Sequence, residues 1–132
     1  METHTLYDKL GPDLLKRLVD TFYDFVFEDE KLKTLFNKTP QKVIKQKQYL
    51  FLTQFLGGPQ LYSQTYGHPQ LRARHLPHQV TESGAIAWLH CMSRAINTLP
   101  ISEALKDELF AAFPKAAFHM VNTVENSTEN QV

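Results

Sequence analysis

The sequence predicts an all-α domain. Apolar residues return every third or fourth position in several stretches, and each stretch is bounded by proline, glycine, serine or threonine. No run alternates apolar and polar residues well enough to be a strand. A length of 132 residues, 42% of them apolar, suits one domain with a core of its own.

The first long helix is read from "GPDLLKRLVDTFYDFVFEDE". Pro12 takes a first-turn position after Gly11, and Leu15, Val19, Phe22, Tyr23, Val26 and Phe27 recur at helical spacing. "KLKTLF" is long enough for a turn or two. Thr39 opens a second helix, "PQKVIKQKQYLFLTQFL", which Gly57-Gly58-Pro59 stops. Gln60 to Gly67 reads as irregular, and a short helix runs from about His68 to His75. Thr81 caps the next helix through "WLHCMSRAIN", and Ser102 caps the last, "EALKDELFAAFPKAAFHMVNTV". Pro114 falls inside that last helix and should kink it or break its hydrogen-bond ladder. The domain is expected over 1–124, with "ENSTENQV", 125–132, as a solvated flexible tail.

Composition excludes some functions. Lys+Arg and Asp+Glu balance at 14 each, so there is no basic surplus to suggest a nucleic-acid partner. The single cysteine, Cys91, rules out an intramolecular disulfide and any multi-cysteine zinc or iron–sulfur site. "METHTLYDKL" has no apolar signal core, and no apolar run approaches the ~18 residues of a membrane span. A soluble cytoplasmic protein without a membrane partner is expected.

Three helices carry a polar group on an apolar stripe. Gln48 lies four residues after Ile44 and three before Phe51, Tyr23 lies between Val19 and Phe27, and Trp88 shares a face with Ala85 and Met92. Each has a bland reading: an amide at an edge, a core ring with its hydroxyl at the surface, a buried indole with its N–H satisfied. A pocket holding a small polar ligand would account for all three.

The stretch "YGHPQLRARHLPH" raises the question of chemistry. Leu71 and His75 face the same way, and Pro77 ends the helix soon after. An inward histidine there can be a metal ligand, a catalytic base or a satisfied core residue. Zinc is poorly supported: His68, His75 and His78 have no Cys, Asp or Glu nearby to complete a tetrahedral set. No G-x-S-x-G elbow suggests a hydrolase, and Gly57-Gly58-Pro59 ends a helix instead of opening one as a phosphate loop would. One axial histidine, an apolar slot, a distal polar cluster and cations at the rim are instead what haem requires. His75 would take the iron, while Arg74 and Lys47 would pair with the propionates.

With "FY" at Phe22-Tyr23, "FLTQFLGGPQLY" at Phe51–Tyr62, "GHPQLRARHLP" at Gly67–Pro77 and "AWLHCM" at Ala87–Met92, the chain resembles a truncated haemoglobin of group II from about Leu6 to Val124. The Gly-His-Pro-x-Leu-Arg-x-Arg-His string, with Trp88 thirteen residues after its last histidine, is specific. The resemblance implies a two-on-two helical sandwich around haem b, with His75 as the proximal iron ligand. It implies that Tyr23, Gln48 and Trp88 face the distal ligand, and that Phe36 covers the haem. Ile44 takes the gate position of the distal helix, where many globins have histidine, so no sixth-ligand histidine is expected there. It further implies haem contacts from Phe51, Tyr62, Leu71, Val80 and Met92. The chain departs from the family in having Gly11-Pro12 in place of a double glycine, His78 where phenylalanine is usual, and Pro114. His78 is expected to be exposed.

The implied function is reversible binding of O2 and other diatomic ligands, with slow release. The alternative is a peroxidase-like or nitric-oxide-consuming enzyme. Its reductase must be a separate partner, because the chain has no flavin or nicotinamide fingerprint. NO, CO, peroxide and sulfide are further candidate ligands, and a monomer or weak homodimer is expected.

Overall fold

The structure, a computed structural model, describes residues 4–30, 32–33, 40–67 and 81–121. Its helices are α1 (Leu6–Leu10), α2 (Pro12–Glu28), α3 (Gln41–Phe55), α4 (Leu61–Tyr66), α5 (Glu82–Asn97), α6 (Glu103–Phe110) and α7 (Pro114–His119). No strand occurs among the described residues.

Local signals set the ends of these helices. Pro12 is the first residue of α2, directly after Gly11 at φ 88°. Thr81 Oγ1 accepts the Gly84 N–H at 3.0 Å, and Ser102 Oγ accepts the Leu105 N–H at 3.1 Å, so both expected caps are present. α3 begins at Gln41 with the extended Pro40 at its N-cap position, and Thr39 lies outside the described residues. Pro114 divides the last helix into α6 and α7. It has no N–H to continue the ladder and would crowd the carbonyl four residues back, so it starts a new helix instead.

Two helices were not legible. α1 is held by a capping box in which Thr5 Oγ1 accepts the Asp8 N–H and Asp8 Oδ2 accepts the Thr5 N–H. α4 occupies the stretch read as irregular. Its fold is tertiary in origin: the Gln54 amide donates to Ser63 Oγ at 2.8 Å and accepts the Ser63 N–H at 2.9 Å, closing the turn between α3 and α4. That turn also seats α1. The Tyr7 N–H donates to Leu56 O, and a Cβ on Gly58 would lie 2.7 Å from the Tyr7 ring. Gly57 adopts φ 98°, so the double glycine both ends α3 and admits α1.

α2 packs against α5 on one side and α3 on another, and α6 and α7 pack against α5. This is the two-on-two arrangement: α2 with α3 over α5 with the α6–α7 pair. The core between them contains Leu15, Leu18, Phe22, Met92, Ile96 and Leu109, all buried. The inward stripe of α2 matches its sequence pattern except that Leu18 joins it and Phe27 is only partly buried. On α3, Ile44 and Leu52 face the core, as does Leu56 just past its end, while Phe51 and Phe55 form a half-buried strip turned toward α4 and α7.

Candidate functional site

The polar groups singled out on α2 and α5 meet at a single ring. Phe22, fully buried, stands edge-on to Tyr23 with centroids 5.0 Å apart, and edge-on to Trp88 at 5.0 Å. Tyr23 and Phe22 are neighbours in sequence, and α2 is buried on both, so one helix supplies the phenol and the spacer that seats the indole of α5. Trp88 also contacts Phe113, at 5.7 Å, at the start of α7.

Tyr23 is 4% exposed, and burial pushes its phenol well above the ordinary value. The hydroxyl therefore stays protonated at neutral pH and remains a donor. Trp88 is half-buried, and its indole N–H has no acceptor among the described residues. Gln48 is half-buried on the strip of α3 that holds Phe51 and Phe55, and it too makes no hydrogen bond to a described residue.

A ring path continues from Trp88 through Phe113 to Phe55 (5.6 Å), Phe51 (5.6 Å), Tyr62 (5.6 Å) and Tyr66 (5.1 Å). It joins α5, α7, α3 and α4 along one aromatic surface. Ile44, Tyr62 and Met92 are buried, while Lys47 is exposed with its Nζ 5.0 Å above the Tyr66 ring. Phe36, Leu71, Arg74, His75 and Val80 lie outside the described residues, as do His68 and His78. Sequence reasoning missed Phe113 and the central part played by Phe22. Phe22 was visible as an inward position beside Tyr23, whereas Phe113 had no signal beyond its place before Pro114.

Cys91, on α5, is buried, and its thiol is pushed up to about 11, first by burial and then by Asp29. Both the thiol and the Tyr23 phenol thus hold their protons more tightly folded than unfolded. Stability from this source is intact below the unfolded values, about 9 for the thiol and about 10 for the phenol. It is lost as pH rises past them. Denaturant titration is expected to show stability falling from about pH 9 upward. Cys91→Ser should remove the early part of that fall; an unchanged profile in the variant would exclude the thiol as its source.

Comparison with known proteins follows the same lines. The family model for bacterial-like globins matches residues 5–122. The chain is 45% identical over 120 residues to group 2 truncated hemoglobin YjbI of Bacillus subtilis (strain 168), covering 90% of this chain and 89% of the relative. The crystal structure of the group II truncated hemoglobin from Bacillus anthracis superposes with a TM-score of 0.90 at 38% identity, covering 98% of this chain and 99% of that one. The X-ray structure of a truncated oxygen-avid haemoglobin from Bacillus subtilis gives 0.85 at 43% identity, covering 90% and 100%. The chain belongs to the bacterial-like globin family, and within it to the group II truncated haemoglobins.

Membership implies haem binding and small diatomic ligands. The described side chains fit that group chemically. They offer flat apolar and aromatic surface from α3, α4 and α5, an indole N–H with no acceptor among the described residues, a buried neutral phenol and a lysine at the exposed end. No cluster of three or more His, Cys, Asp or Glu occurs among the described residues, so none of them forms a separate metal cage. No helix among them is long and apolar enough to cross a membrane.

Proposed function

We propose that the protein binds O2 and other diatomic ligands reversibly at a haem b whose iron is held by His75, and that it releases O2 slowly. The observation that carries this reading is the convergence of Tyr23 and Trp88 on Phe22. Haem, when bound, would supply the iron to which such ligands bind.

The chain's own residues set how long a ligand stays. A diatomic ligand held in this pocket would carry partial negative charge, and fixed donors aimed at that charge would hold it. The Trp88 N–H has no competing acceptor among the described residues, and the Tyr23 O–H stays protonated. Phe22 packs edge-on against both rings and supports them. The Gln48 amide serves as a third donor from the opposite helix. Ile44 fills the gate position with an apolar group, which leaves the iron to the exogenous ligand. The description of a relative from Bacillus subtilis as oxygen-avid agrees with this reading.

One hydrogen bond of this kind contributes ~1–1.5 kcal/mol, which is roughly tenfold in a dissociation rate. Trp88→Phe keeps an aromatic ring at this position and removes the N–H donor. Its O2 release, followed by stopped-flow absorbance, is expected to be about tenfold faster than that of the parent. An unchanged rate removes Trp88 from the role assigned here.

A second reading, peroxide turnover or nitric-oxide consumption with an external reductant, is favoured by the aromatic path between Trp88 and Tyr66. Peroxide consumption with and without a donor, measured beside O2 release, separates the two readings.

A further inference from the structure

The chain has five tyrosines, and their environments differ in a way that oxygen binding does not use. Tyr23 and Tyr62 are buried at 4% exposure each, and Tyr7 and Tyr49 are half-buried. Tyr66 alone is exposed, at 39%. Tyr62 and Tyr66 are one turn apart on α4, and their rings lie 5.1 Å apart. Tyr62 in turn stands edge-on to Phe51, which reaches the half-buried strip of α3. An oxidisable ring in the interior thus touches an oxidisable ring at the surface.

We propose that Tyr62 and Tyr66 form an electron inlet through which a small phenolic reductant in solution, held at Tyr66, reduces a haem that peroxide has oxidised. The proposal rests on the haem reading above. Tyr62 is too deeply buried to meet a donor from solution, so reduction through it needs a surface partner, and Tyr66 is the tyrosine placed to serve. The other oxidisable pair, Trp88 and Tyr23 joined by Phe22, has no exposed ring: Tyr23 is buried and Trp88 half-buried.

The electron count closes. Peroxide takes two electrons and two protons and leaves as two molecules of water. Tyr62 gives one electron inward and releases its phenolic proton. Tyr66 refills Tyr62 with an electron, the Tyr62 phenol is re-protonated, and Tyr66 becomes a neutral phenoxyl ring. A solution phenol then gives its O–H hydrogen to Tyr66 and leaves as a phenoxyl radical. Two such donors are consumed per peroxide. Lys47 bears on the third step. Its ammonium lies 5.0 Å from the centre of the Tyr66 ring, where it disfavours a positively charged ring, so the electron leaves together with the proton. The same charge draws donors that carry a carboxylate.

Without a donor, the Tyr66 radical has one outlet at an exposed ring: coupling with Tyr66 of another copy. A carbon–carbon bond forms, the two ring hydrogens shift to the oxygens, and a covalent dimer results. The test is to mix haem-loaded protein with hydrogen peroxide alone, freeze samples for electron paramagnetic resonance, and run the remainder on a denaturing gel. Parent protein is expected to show a tyrosyl signal and a dityrosine-linked dimer. Tyr66→Phe is expected to lose the dimer, to oxidise a carboxylate-bearing phenol several-fold more slowly, and to keep its haem absorbance. Tyr62→Phe leaves Tyr66 exposed and is expected to lose the dimer as well, which separates an internal relay from direct attack by peroxide on the surface. Undiminished dimer or donor oxidation in Tyr66→Phe, or undiminished dimer in Tyr62→Phe, overturns the route while leaving the haem reading intact. Parent protein without a haem absorbance band overturns both.

Discussion

His75→Ala is expected to purify almost free of haem from cells with ample porphyrin, while keeping its helical circular dichroism. Aromatic and aliphatic side chains can hold a porphyrin by burial, but on the proposed reading one protein–iron bond, from His75, ties the metal, and the buried Ile44, at the position the resemblance assigns to the gate, offers no second ligand. Removing that bond leaves a loosely held, exchangeable group. Holding a ligand in the folded state alone raises stability by RT ln(1 + [L]/Kd), about 4 kcal/mol at a thousand-fold excess over Kd. The variant should therefore also melt earlier than the loaded parent, at the temperature of the haem-free parent. Adding free imidazole with hemin is expected to restore the absorbance band, because the truncated side chain leaves room for an unattached imidazole to take the iron. A normal haem content in His75→Ala would move the ligand assignment elsewhere, with His68 and His78 the next to test.

The way the fold announces itself explains which parts of this site the sequence discloses. Helix starts held by one side chain are local events, and Thr81 and Ser102 are readable because a hydroxyl can reach an N–H only two or three residues on. Pro114 is readable for the same reason: its missing N–H acts on its own turn. α4 escaped because the Gln54 amide closes it onto Ser63 across the Gly57-Gly58 turn, nine residues away, and six residues carry too little periodicity to show a helix. α1 carried a local signal, the Thr5–Asp8 box, that is easily taken for a polar leader. Within the site, the spacing marked Tyr23, Gln48 and Trp88 individually. That Tyr23 and Trp88 share Phe22 depends on how α2 crosses α5, which no single-helix pattern encodes. Gln48 has no such partner among the described residues, so its proposed role rests on the family resemblance and its half-buried place beside Phe51 and Phe55.

On the proposed reading Phe22 is the residue at which stability and ligand handling are joined, and its truncation should disturb both. Its ring is fully buried and meets Tyr23 and Trp88 edge-on at 5.0 Å each. Phe→Ala in a packed core costs about 3–5 kcal/mol, part of it for the cavity left behind. For a domain of this size about 4 °C of melting temperature follows each kcal/mol, so the haem-free Phe22→Ala protein should melt roughly 10–20 °C below its parent. Net stability is only about 5–15 kcal/mol, so the variant remains folded at low temperature but with little reserve. Phe22→Leu isolates the second effect. It restores most of the volume and loses the two edge contacts, each about 0.5–1.5 kcal/mol, so it should fold well while Tyr23 and Trp88 lose their common support. Its O2 release is expected to quicken toward the Trp88→Phe rate, although both donors are still present. If Phe22→Leu instead releases O2 at the parent rate, the two donors are positioned independently of that ring, and the convergence on Phe22 is a matter of packing alone.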